Sequence, residues 1–263
     1  VPWQKNVPKK AKVRAYPVVE QAHWIWIWMG DPALANPDEI TDFHWLDDPD
    51  WGAKGTVFHV KCDYKLIVEN LLDLTHLAYV HQTTIGNDAV AEGAETKYDR
   101  TEEDVTVTRW VIDAPAPPTY VKAGGFDKNV DRWQIINFTP PSSIRLDVGA
   151  CDTGTGAPEG KRVGGINMRN LNGITPETET TTHYFWAQAH NFNVDNPDVT
   201  ELVYQQVHAA FSEDIEVFEE QQALIDREPQ APRINLSGDV GGLAAVEIID
   251  KLVAEENQSM AAE

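Results

Sequence analysis

The sequence predicts an α+β domain in which an antiparallel sheet packs against one long helix. Five alternating stretches lie between Asp104 and His190, separated only by Gly, Pro and Asn clusters. Strands that follow one another without intervening helices pair antiparallel. Downstream, residues 197–227 place Val203, Val207, Ala210, Phe211, Val217, Phe218, Leu224 and Ile225 along one face of a helix. Upstream, Val68 to His81 sets Asn70, Asp73, His76 and His81 inside an otherwise apolar run. Buried polar groups without partners cost on the order of a few kcal/mol each, so something must bind these four.

The elements follow in chain order. Residues 1–14 are rich in Pro and Lys and read as an extended connector. Trp24, Ile25, Trp26, Ile27 and Trp28 alternate as a strand that Gly30-Asp31-Pro32 stops, and Asp31 to Asp50 is a Pro- and Asp-rich loop. Thr56 to Asp63 alternates again. Leu66 to Val80 reads as a helix through Ile67, Leu71, Leu74 and Ala78. The strands VTVTRWVI, DRWQIINF, SSIRLDVG, VGGINMRNL and THYFWAQAH come next, then the long helix. SGDVGG breaks the chain, and Leu243 to Glu256 makes a short amphipathic helix through Val246, Ile249 and Val253.

Composition narrows the function classes. With 21 basic and 42 acidic residues the formal net charge is −21, which opposes binding to nucleic acid or to an anionic membrane surface. No stretch approaches 18 consecutive apolar residues, so no membrane span is expected. Cys62 and Cys151 are too few for a Cys₄ zinc or iron–sulfur site, and a reducing cytoplasm fits them best. The chain begins at Val1 without a charged-then-apolar leader, so a fragment or a processed chain is expected rather than a secreted precursor.

Asn70, Asp73 and His76 fall at i, i+3 and i+6, one polar stripe of a helix. His81 would lie about 140° further round if that helix continued, so it must end or distort near Tyr79-Val80 for both imidazoles to meet one point. Two ordinary histidines at a helix end are the plain alternative. Asp214 weighs against it. It sits on the apolar stripe of the long helix, and the segment from Thr200 to Asp226 contains no Lys or Arg to pair with it. Two histidines and a carboxylate form the facial triad of non-haem Fe(II) sites, and zinc accepts the same three ligands.

The pattern N-x-x-D-x-x-H-x-x-x-x-H, with E-D-x-x-x-x-E-x-Q-Q downstream, resembles the catalytic domain of Rieske non-haem iron oxygenases, and most closely the vanillate O-demethylase oxygenases. The resembling stretches are IWIWMGDPALANP, FHVKCDYKLIVENLLDLTHLAYVHQTTIG, DRWQIINFTPPS, TPETETTTHYFWAQAHNF and FSEDIEVFEEQQ. The resemblance implies a helix-grip fold of the START and Bet v1 kind. It implies His76, His81 and Asp214 as ligands of non-haem Fe(II), Asp73 on the electron path from a neighbouring subunit, and Asn70 beside the iron. It also implies a Rieske [2Fe-2S] domain upstream. Neither C-x-H nor C-x-x-H occurs in this sequence, so residues 1–30 are expected to be the tail of that domain and residues 31–263 the catalytic domain.

The resemblance further implies electrons from a flavin and iron–sulfur reductase, O₂ as co-substrate, and a homotrimer whose electron path crosses subunits. The expected reaction hydroxylates the methyl carbon of a methoxylated aromatic acid such as vanillate, and the hemiacetal collapses to a phenol and formaldehyde. Arg145, Asn172 and Gln205 are the expected substrate contacts, Arg145 as the partner of the carboxylate; a solvated strand arginine is its plain alternative. Three rivals stand beside this reading: a sibling oxygenase acting on another aromatic acid, a helix-grip protein that binds a ligand without chemistry, and a zinc hydrolase on the same three ligands.

Overall fold

The computed structural model of the chain describes residues 6–86, 94, 96–162 and 164–262. The chain divides into two compact units, Val1–Asp47 and Asp48–Glu263.

In the first unit, β1 (Val18–Gln21) pairs antiparallel with β2 (Trp24–Ile27). The two residues that join them, Ala22 and His23, both take positive φ, the hairpin geometry whose twist matches that of the strands. Short 3₁₀ turns follow. Asp31 and Asn36 cap the first two by accepting from the backbone two residues on, with Pro at the first position of each. Phe43 is completely buried, edge-on to Trp24 at 5.1 Å and tilted against Trp26 at 5.9 Å. That anchoring carries the first unit through Asp47, beyond the boundary at residue 30 expected from sequence.

In the second unit, seven strands form one sheet: β3 (Gly52–Val60), β4 (Thr96–Arg100), β5 (Val105–Pro115), β6 (Asn129–Thr139), β7 (Ser143–Asp152), β8 (Ile166–Thr178) and β9 (Thr181–His190). Their order is β3-β9-β8-β7-β6-β5-β4, and every neighbouring pair is antiparallel. The five expected strands are β5 to β9. β4 is not among the expected strands: it is a short edge strand whose only large apolar residue is Tyr98.

Among the described residues five helices accompany the sheet: α1 (Tyr64–Leu72), α2 (Leu77–Val80), α3 (Pro118–Gly124), α4 (Pro197–Arg227) and α5 (Val240–Ala262). Asn196 caps α4 by accepting from Asp198 N, Pro197 opens it, and Arg227 stands in its last turn. Each of these choices suits the unpaired groups and the dipole at its end of the helix. Its buried face is Val203, Val207, Ala210, Phe211, Asp214, Phe218 and Gln222; Val217 and Leu224, expected there, are exposed. Phe211 stacks on Tyr184 at 5.6 Å and meets Trp186 edge-on at 5.2 Å, which pins α4 to β9. Burying each such ring contributes roughly 1.5–3 kcal/mol. The antiparallel sheet with one long helix on it is the helix-grip architecture.

Two helix boundaries differ from expectation. Leu66 to Val80 is not one helix, because the chain leaves it at Asp73, whose N–H closes on Glu69 O and Asn70 O, and restarts at His76. SGDVGG does not break the chain outright; Gly241 and Gly242 lie within α5. A Cβ on Gly242 would stand 2.9 Å from Glu69 Cα, and one on Gly241 2.6 Å from Val107. The glycines let α5 approach α1 and β5 closely, burying Ala245, Ile248 and Ile249 and leaving Val253 exposed.

Candidate metal centre and its cavity

The break between α1 and α2 creates the centre. His76 stands at the N-cap of α2 and His81 just past its last turn, so a single helical turn spans the two. His76 Nε2 and His81 Nε2 lie 3.2 Å apart. Asp214 on α4 brings Oδ1 to 3.2 Å from His81 Nε2 and 3.7 Å from His76 Nε2. His81 and Asp214 are buried and His76 is nearly so. Three of the predicted residues therefore come together from two helical regions more than 130 residues apart. The helix ends at Val80 as expected, with His81 leaving the helical conformation, and a second break not expected from sequence falls at Asp73–Thr75, ahead of both histidines.

The outer nitrogens are committed. His76 Nδ1 donates to Asp73 O at 2.6 Å, and His81 Nδ1 donates to Glu213 Oε2 at 2.7 Å. A neutral imidazole that donates through Nδ1 presents a lone pair at Nε2. Two such lone pairs and a carboxylate oxygen converge, and the convergence is favourable when a cation sits between them. Burial pulls the His76 pKa below its ordinary value, which favours the neutral, ligating form. Burial acts the same way on His81, but Asp214 and Glu213 outweigh it and hold its pKa above the ordinary value. Asn70 adds a second sign: its Nδ2 lies 3.4 Å from Asp214 Oδ1, while its Oδ1 is buried without a partner. The donor set and this orphaned oxygen fit a divalent iron or zinc ion.

Asp73 is placed differently. Its carboxylate accepts from Thr75 N at 2.7 Å and its carbonyl holds His76, so it shapes the turn and does not face the cavity. Glu213 is a further functional residue that the sequence pattern does not single out. It also accepts from Thr84 Oγ1 at 3.1 Å. Its position beside Asp214 on α4 was the available signal.

A cavity opens at the three ligand atoms. Its walls come from α1, α2, α3, the inner faces of β6 to β9, and α4. Leu74, Leu77, Ile136, Leu146, Val148 and Phe211 make much of it apolar; Asn70, Arg132, Gln134, Asn170 and Gln188 supply polar groups. The expected substrate contacts are not among the lining residues. Arg145 sits between Leu146 and Ile144 on β7, so its side chain points to the opposite face, where it donates to Asn137 Oδ1 at 3.0 Å. Asn172 faces inward but is spent on Ile144 O, Asn170 and the Tyr184 hydroxyl. Gln205 is exposed on α4 and donates to Glu201. Arg132 and Gln134 escaped the sequence reading because β6 is buried on both faces: Trp133, between them, packs with Cys151, Ala157 and Trp110 on the far side. Alternation was therefore invisible.

A second cluster, His59, Glu177 and His183, lies on the exposed face of β3, β8 and β9. Glu177 is already satisfied there by His59 Nε2 at 2.7 Å and the Thr181 hydroxyl at 2.9 Å. Cys62 and Cys151 are both free and buried. Burial, then the charges of Asp63 and Glu219, push the Cys62 thiol up to about 12. Among the described residues no helix is long and apolar enough to cross a membrane.

The chain is similar to several known proteins. The family model described as "vanillate O-demethylase oxygenase C-terminal domain" matches residues 60–255. The chain is 42% identical over 260 residues to the iron–sulfur subunit of the toluene-4-sulfonate monooxygenase system of Comamonas testosteroni, covering 98% of this chain and 75% of that one. It is 36% identical to a vanillate O-demethylase oxygenase subunit of a Pseudomonas species, covering 95% and 77%. Among solved structures, dicamba monooxygenase bound to 3,6-dichlorosalicylic acid superposes with a TM-score of 0.87 at 31% identity, covering 98% of this chain and 75% of that one.

Proposed function

The chain belongs to the vanillate O-demethylase oxygenase C-terminal domain family, and on that premise we propose that it is the oxygenase component of a Rieske-type aromatic monooxygenase. The observation that carries the reading is the convergence of His76 Nε2, His81 Nε2 and Asp214 Oδ1 in the wall of a largely apolar cavity. His76, His81 and Asp214 would hold the iron. Bound Fe(II) supplies the site where O₂ and two electrons are turned to the oxidation of an unactivated C–H bond.

The remaining work falls to the chain's own residues. Glu213 and the Asp73 carbonyl keep each Nδ1 protonated, so that each Nε2 stays free to bind metal. Leu74, Leu77, Ile136, Leu146 and Phe211 exclude water and offer flat apolar surface to an aromatic ring. The proposed reaction takes a methoxylated aromatic acid, O₂ and NADH-derived electrons to a hemiacetal and water; the hemiacetal then breaks its C–O bond to give a phenol and formaldehyde. A second reading is favoured by the 42% identity to the toluene-4-sulfonate system: mono-oxygenation of an aromatic sulfonate in the same cavity.

Residues 1–30 are read as the tail of a Rieske [2Fe-2S] domain, the electron donor as a flavin and iron–sulfur reductase, and the assembly as a homotrimer in the cytoplasm. Support for the compartment is the pair of buried, unbridged cysteines. The full-length protein supplied with NADH, a compatible reductase and vanillate should release formaldehyde in step with NADH consumed. NADH consumption with toluene-4-sulfonate and none with vanillate selects the second reading. Turnover without O₂ would remove both.

A further inference from the structure

Among the described residues that line the cavity, Arg132 is the charged group that the centre does not use. Its side chain projects from β6 into the cavity lining and is 3% exposed. Its Nε and Nη1 have no hydrogen-bond partner, and no ion pair to it occurs among the described residues. A guanidinium stays charged under all ordinary conditions, so it cannot escape burial by losing its proton. An uncompensated charge at such depth is strongly unfavourable in the ligand-free chain.

The surroundings make the demand sharper. The Tyr120 ring lies 4.9 Å from the guanidinium carbon and holds the group by a cation–π contact, so it does not reach solvent. Asp147, on the neighbouring strand, already accepts from Trp133 Nε1, Arg162 and Arg169 at 2.7–2.8 Å. Asp131, the preceding residue, points to the other face and accepts from Asp113 N and Gly154 N. Arg109 is near enough to feel the charge of Arg132 as a repulsion. Among the described residues that line the cavity the only carboxylate is Asp214, which belongs to the metal centre.

We infer that Arg132 binds the acid group of the substrate, so that the cavity selects an aromatic monoanion, carboxylate or sulfonate, over a neutral ring of the same shape. This rests on the cavity being the substrate site proposed above. Planar N–H donors match the oxygens of either acid group in charge-assisted hydrogen bonds. Along the same face of β6 the wall then passes through Gln134, whose Oε1 is unpartnered, to apolar Ile136. That sequence suits a molecule with an anionic end, a ring hydroxyl and an apolar remainder.

The test measures binding of 4-methoxybenzoate, toluene-4-sulfonate and neutral 4-methoxybenzamide to the iron-loaded wild type, Arg132→Gln and Arg132→Lys, with iron content and Tm on the same preparations. Wild type should bind both anions about a hundredfold tighter than the amide. Arg132→Gln should lose that margin, leave amide affinity and iron content unchanged, and melt no lower, because it removes a buried unpaired charge. Arg132→Lys should retain part of the margin. The ratio of sulfonate to carboxylate affinity then names the source of the anion. Equal wild-type affinity for anions and amide overturns the inference whatever the variants do, and so does a uniform loss of all three ligands with a lowered Tm. Normal iron and turnover with unchanged anion binding in Arg132→Gln defeats this inference and leaves the metal centre standing. Arg132-dependent anion binding in protein that takes up no iron does the reverse.

Discussion

His76 and His81 turn their Nε2 atoms toward each other at 3.2 Å, and each Nδ1 is held by an acceptor behind it. Five residues of a regular helix would have splayed the two rings by about 140°. The end of α2 at Val80 removes that obstacle: His81 leaves the helical conformation, and a pair of lone pairs faces a buried carboxylate. Asp214→Asn keeps the shape and removes the charge. Iron affinity should fall by more than about a hundredfold, beyond the 10–100-fold typical of outer partners, while far-ultraviolet circular dichroism stays unchanged. Full iron occupancy in this variant, measured by metal analysis, would rule Asp214 out as a ligand.

Glu213 governs the ring that Asp214 meets. Its carboxylate accepts from His81 Nδ1 and from the hydroxyls of Thr83 and Thr84, so it fixes both the tautomer and the loop that follows α2. Glu213→Ala should weaken iron binding about 10–100-fold, and Glu213→Gln, which keeps an acceptor, should cost less. Competition against a coloured chelator gives both numbers. Equal retention of iron by the alanine variant and wild type would show that His81 needs no support from Glu213.

The strand series, the long helix and the metal cluster were legible in the sequence because each leaves a local signature. β5 to β9 are bounded by turn residues, and Asp214 interrupts an apolar stripe with no basic neighbour on its helix. The break at Asp73 was not legible, since Leu71, Leu74 and Ala78 keep helical spacing straight through it; only the hydrogen bonds of Asp73 N show where the helix stops. Nor was the cavity wall. Inward and outward residues of β6 are both buried, so Arg132 could not be told from Trp133 by pattern, and Arg145 drew attention on a strand face that the cavity does not reach. Family resemblance pointed to the three residues that converge, His76, His81 and Asp214, but carried no register for the pocket.

His190 sets a pH dependence away from the centre. It is completely buried, donates from Nδ1 to Phe192 O and accepts at Nε2 from the Thr200 hydroxyl, each at 2.8 Å. Burial lowers its pKa from the ordinary 6.5. The unfolded chain therefore takes up a proton near 6.5 and the folded chain only at lower pH. Stability contributed by the neutral ring is full above 6.5 and is lost as pH falls through the folded value. Urea midpoints should drop between pH 7.5 and 5.5 more steeply in wild type than in His190→Gln. Parallel slopes for the two proteins would remove His190 from the pH dependence.

Arg109 ties the sheet to the centre. From β5 its Nη1 donates to Leu74 O at 2.6 Å, inside the three-residue break that sets His76 at the start of α2. Burial lowers its pKa most, the nearby charge of Arg132 adds to this, and Asp73 opposes it; the group remains a cation far above neutral pH. Arg109→Met keeps the length and apolar stem but leaves the Leu74 carbonyl without this donor, at a cost of about 1–3 kcal/mol for a buried acceptor. The effect should not stop at stability. With the break loosened, His76 loses its fixed approach to His81, and iron affinity should fall about tenfold even though Arg109 touches no ligand atom. Arg109→Lys, which returns a donor of similar reach, should recover part of both losses. A fall in Tm with iron affinity fully preserved would show that the α1–α2 break holds the centre without help from the sheet.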